Sequence, residues 1–193
     1  MASKVAIANF ALVGELSKNK ITALSDNTEG AKLVSLLFDD TAQEVMTVGA
    51  FSSSTFRQTL ARDAMAPDWG YSYRFALPTD PKYLGLLKVN ELRPGDVAHS
   101  IESGFLLTDE ATVKIQYKGW QDDTEKWDPM LQRAVVLRLA HKMSYPLTGN
   151  VDLKKHLFAE YLDALDTGIA IDGMSSSNVD NIIYTEDLKD VRG

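Results

Sequence analysis

The residues from Thr28 to Phe51 read Thr-Glu-Gly-Ala-Lys-Leu-Val-Ser-Leu-Leu-Phe-Asp-Asp-Thr-Ala-Gln-Glu-Val-Met-Thr-Val-Gly-Ala-Phe. Val34, Leu37, Phe38, Thr41, Val45 and Val48 recur at helical spacing, which sets them along one side of a helix. Asp26, Asn27 and Thr28 offer short polar side chains for the first unpaired amides. Glu29 adds negative charge where the helix dipole welcomes it. A stripe this apolar needs partner helices, and the rest of the chain must supply them.

Three stretches qualify. Val5 to Leu16 reads as a first helix, with Ser3 offering the N-cap and Asn19 a stop. Asp128 before Pro129 is a strong start signal, because proline fits the first helical position, where its missing amide costs nothing. From there Leu131, Val135, Leu139 and Lys142 line one side until Pro146 and Gly149 close the helix. A last helix runs from Asn150 or Val151 to Ile171, with Leu153, Leu157, Tyr161 and Leu165 at four-residue spacing. The short link from Tyr145 to Gly149 makes these two an antiparallel pair.

Between the helices the period changes. Ala61 to Pro81 carries Pro67, Gly70, Pro78 and Pro81 among Trp69, Tyr71, Tyr73 and Phe75, an ordered aromatic excursion rather than a linker. Leu84 to Val89 reads as a strand. Ser103-Gly104 is a two-residue hairpin signal between Ser100-Ile101-Glu102 and Phe105-Leu106-Leu107-Thr108. Val113, Ile115 and Tyr117 alternate with Lys114, Gln116 and Lys118, as in a half-buried strand with one wet face.

The expected fold is therefore α+β: a four-helix bundle core with a small antiparallel β meander inserted between the second and third long helices. Residues 1–60 and 126–172 would form the bundle, 61–125 the aromatic loop and β insertion, and 173–193 a flexible C-terminal docking tail. That tail holds a Ser-rich hinge and the apolar island Ile182-Ile183-Tyr184, suited to a neighbour's groove or sheet edge.

Composition narrows the function. A net charge of −7 argues against general affinity for nucleic-acid backbones or anionic membranes. The absence of cysteine excludes disulfides, thiolate metal sites and a cysteine nucleophile. No stretch approaches the length of a membrane span, and the reading is a soluble intracellular protein. His99, His141 and His156 lack zinc-site spacing, so no metal or other cofactor is expected. Neither serine triplet sits in a nucleophile elbow. Asp39 and Asp40 point about 100° apart on a helix and read as a solvated face. A small hydrolase or ligand-binding enzyme using Asp122, Asp123 or His99 in a loop-lined pocket is the alternative to a non-catalytic protein. Trp69, Tyr71 and Tyr73 have only Arg74 as a basic neighbour, which favours a protein interface or core over nucleic acid.

Several stretches, in this order, resemble the head–tail adaptors of short-tailed phages known as tail tubular protein A or gatekeeper proteins. They are Ile7-Ala8-Asn9-Phe10-Ala11-Leu12, Ile21 to Glu29, Leu36-Leu37-Phe38-Asp39-Asp40 and Tyr71 to Asp80. Ile101 to Asp109, Ile115-Gln116-Tyr117, Tyr145-Pro146-Leu147-Thr148-Gly149 and the helix holding Phe158 and Tyr161 complete the series. The chain departs from the family where tryptophan often follows the second helix, since Ala50-Phe51-Ser52 stands there. The resemblance implies a virion protein without enzymatic activity, made in the host cytoplasm and placed at the head–tail junction. It implies a ring of about twelve copies between the portal protein and a downstream tail or nozzle protein. DNA would pass through its lumen without sequence-specific binding, and no membrane would be involved. Trp69, Tyr71, Tyr73, Ile182, Ile183 and Tyr184 are the expected interface residues.

Overall fold

The computed structural model describes residues 3–175. Among them are four α-helices, α1 (Lys4–Asn9), α2 (Glu29–Val48), α3 (Pro129–Thr148) and α4 (Val151–Ser175). Six strands lie between α2 and α3: β1 (Thr55–Leu60), β2 (Tyr73–Ala76), β3 (Tyr83–Val89), β4 (His99–Glu102), β5 (Phe105–Thr108) and β6 (Val113–Gly119). The chain divides into two compact units, a helical one reaching Ser53 and resuming at Asp122, and a β unit from Ser54 to Gln121.

The chain is α+β, but a four-helix bundle with an inserted meander is not what forms. The first helix gives way after Asn9 to a π-helical segment, Phe10–Glu15, whose closing bond runs from the Leu16 amide to the Ala11 carbonyl. The helical packing converges on α3, which meets α4, α2, α1 and the π segment. Leu131, Ala134, Val135, Val136, Leu137, Leu139, Ala140, Met143 and Ser144 are all buried, so this helix is covered nearly all round. A helix apolar on every side becomes the hub that the others surround, not one corner of a square. α2 supplies one such cover, burying Ala31, Val34, Phe38, Thr41, Ala42, Val45 and Met46, while Val48 stays 42% exposed.

The caps are local chemistry. Thr28, not Asp26, caps α2 by accepting from the Ala31 amide, whereas Asp26 accepts from the Thr22 and Ala23 amides in the preceding turn. Asp128 caps α3 through the Leu131 amide and also accepts from the Ser53 hydroxyl. Pro146 lies within the last turn of α3 without ending it, and Gly149 terminates the helix at φ 66°. That left-handed conformation suits a residue without a Cβ. Phe51, in place of the family's tryptophan, is fully buried against Gly49 and Gly168.

In the β unit two three-stranded antiparallel sheets replace the expected meander, because the strands do not pair in chain order. One is ordered β1-β6-β3 and the other β2-β5-β4. Strand β6 is central, with Thr55 to Leu60 running antiparallel to Lys118 to Val113. Its Val113, Ile115 and Tyr117 enter a core with Leu60, Phe75, Val89 and Leu106. The wet face ends early: Lys118 is only 8% exposed, its stem passing Gly85, where an added Cβ would lie 3.6 Å from Cδ. The Ser103-Gly104 hairpin forms as read, both residues at positive φ between β4 and β5. A second turn of this kind at Asn90-Glu91 had no sequence signal, since glutamate rarely adopts φ 70°.

Candidate functional site

The aromatic excursion is a loop with fixed ends and an exposed tip. At its start Asp63 pairs with Arg74 of β2 at 3.2 Å and accepts from the Met65 amide, while the Asp63 amide donates to the Arg74 carbonyl. At its end the Ser72 amide and hydroxyl both donate to Asp109 Oδ1, at 2.8 and 2.7 Å. The Ser72 hydroxyl and amide together hold the Asp109 carboxyl below its ordinary value. Between these anchors Met65 and Trp69 stand 65% and 86% exposed. The three aromatic residues expected at an interface therefore differ. Trp69 projects, Tyr71 is half-buried, and Tyr73 packs against the β core with the Arg62 guanidinium 3.9 Å from its ring centre. Ile182, Ile183 and Tyr184 lie outside the described residues.

The residues of the hydrolase alternative have local partners. His99 in β4 places Nδ1 2.8 Å from the Val97 carbonyl. Asp123 caps a short 3-10 turn through the Glu125 amide and pairs with Lys126 at 3.4 Å. Asp122 is exposed. Among the described residues no group of three or more His, Asp or Glu side chains is placed to hold a metal ion. No described helix is long and apolar enough to cross a membrane.

The helical unit carries two features that residue spacing did not signal. The first is a polar cluster where α2, α3 and α4 meet. Glu44 Oε1 accepts from Arg138 Nε at 2.9 Å and from Nη2, while Oε2 pairs with Lys142. The guanidinium lies 5.4 Å from the Phe158 ring centre and 5.2 Å from that of Tyr161. Arg138 Nη1 is also 3.3 Å from His141 Nδ1. Partial burial alone would raise the Glu44 carboxyl, but hydrogen bonds from Lys142 and Arg138 outweigh it and hold the group below its ordinary value. Burial first, and the Arg138 charge second, push His141 from 6.5 down to about 4.

The sign of the pH dependence follows from that depression. Unfolding lets His141 take up a proton between pH 6.5 and about 4, so its stabilisation is complete above 6.5 and fades as pH falls toward 4. Glu44, also depressed, loses its contribution as the medium becomes more acidic still. We expect His141→Gln to flatten the fall of the urea midpoint between pH 6.5 and 4, followed by helix circular dichroism. An unchanged slope would remove His141 from this account.

The second feature is a groove of about 230 Å³ between the π segment and α3. Ile7, Phe10 and Val136 give it an apolar lining, and Glu15 and Arg133 form an ion pair at its rim. Gly14 keeps one side open, with nothing within 4 Å of where its Cβ would stand. Phe10 and Val13 remain 63% and 48% exposed. An alternating helical pattern points Phe10 inward, and only the π geometry turns it out; that is why the sequence did not disclose the groove.

Compared with protein-family models and with curated proteins, the sequence matches none.

Proposed function

We propose that the protein is a non-catalytic structural adaptor of a phage virion, a ring beneath the portal that joins head to tail and conducts DNA. The observation that carries this reading is the order of the adaptor-like segments, from Ile7-Ala8-Asn9-Phe10 to Tyr145-Pro146-Leu147-Thr148-Gly149. The loop bearing Trp69 supports it, because a projecting tryptophan on an anchored base loses little entropy on docking and is a frequent interface anchor. Net negative charge also suits a conduit, since acidic walls do not hold phosphates. Closed cyclic symmetry repeats one heterologous contact until the ring shuts.

Mass photometry of the full chain, alone and with the portal protein of the same phage, tests the reading. The expected particle is about twelve times the 21.3 kDa protomer, free or on the portal. Trp69→Ala should weaken assembly by about tenfold or more while leaving the circular dichroism unchanged. A chain that stays monomeric and never binds portal would overturn the reading.

A further inference from the structure

The groove between the π segment and α3 leaves an apolar surface open on an otherwise covered hub. Single-turn π geometry within helices is found mostly at functional sites. Three observations converge on one occupant. Among residues 176–193 the one run of three consecutive apolar side chains is Ile182-Ile183-Tyr184. That run is flanked by Asp180 on one side and by Glu186 and Asp187 on the other, while exposed Lys18 and Lys20 follow the π segment. Opposite charges therefore flank an apolar centre on both surfaces.

The third observation is reach. α4 runs antiparallel to α3: Gly168 lies beside Met130, and Glu160 approaches Arg133 at the groove rim to 3.8 Å. From Glu160 to the end of α4 at Ser175 the helix advances about 22 Å. Seven peptide steps from Ser175 to Ile182 cover up to about 25 Å. The island can return to the level of Arg133 with its linker extended, and nothing longer is required.

We propose that Ile182-Ile183-Tyr184 seats in the groove of its own chain, covering Ile7, Phe10 and Val136. A tether this short holds the segment at millimolar effective concentration, so modest apolar contact suffices. The seat is independent of the ring assignment and applies to the isolated protomer.

The chain has no native cysteine, which makes cross-linking direct. In the full chain, Gly14→Cys with Ile183→Cys is treated with a short bis-maleimide and compared with Leu36→Cys plus Ile183→Cys. Leu36 is 70% exposed on α2 and serves as the off-site control. The first pair should give an adduct of monomer mass about tenfold faster than the second. Equal rates would overturn the proposal. Adducts of dimer mass in place of monomer would also overturn it, and would put the segment on a second copy. As a separate measurement on the full chain, Ile182→Ser with Ile183→Ser should speed amide exchange in residues 7–15 by about threefold or more; unchanged exchange would count the seat out.

Discussion

Tyr117→Ala should unfold the β unit and leave the helical unit standing. Tyr117 is 1% exposed at the centre of β6, with the Phe56 and Tyr83 rings 5.9 and 6.0 Å from its own. Removing a buried aromatic side chain costs about 3–5 kcal/mol, because the cavity cannot close against two flanking sheet strands. A unit of roughly seventy residues has a total stability of about 3–10 kcal/mol, so this one change removes much or all of it. The helical unit has its own core around α3 and does not draw on that cavity. Limited proteolysis should therefore cut the variant between residues 54 and 121, while helix circular dichroism is largely retained. Equal loss of helix signal would show that the two units fold as one.

Arg138→Ala should be the most damaging polar substitution in the helical unit, at about 2–4 kcal/mol. The side chain is 17% exposed and spans three helices, holding Glu44 of α2 while lying over Phe158 and Tyr161 of α4. Its loss leaves a partly buried carboxylate with Lys142 alone and strips a planar cation from two rings. Arg138→Lys keeps the charge but not the fork or the stacking, and should lie between the variant and the wild type. Urea midpoints followed by circular dichroism would check both. A loss below about 1 kcal/mol for alanine would mean the cluster behaves as an exposed pair.

Local signals were legible where one residue decides a conformation. Asp128-Pro129 begins α3, Ser3 caps α1 and Ser103-Gly104 makes the hairpin, each through chemistry confined to a few neighbours. Three-dimensional arrangement was not legible in the same way. The stripe on α2 is easier to see than the burial of α3, because amphipathic spacing stands out and an all-round apolar helix has no contrast. Thr55 to Leu60 pairs with β6 more than fifty residues away, and only that pairing separates two sheets from a meander. Arg138, Glu44 and Lys142 carry no pattern in the chain, since ion pairs between helices depend on their rotation about one another. Lys118 reads as solvent-facing by alternation and is buried because Gly85 leaves room beside it.

The extra backbone atom count in the Phe10–Glu15 turn has a consequence for how this chain tolerates length changes near its start. One residue more per turn advances everything after it by about 100° around the helix axis. Insertion has thus already been absorbed here, and the cost is visible as Phe10 and Val13 rotated toward solvent. Loss of a single codon in this stretch would run the phase backwards and swing those side chains onto the hub.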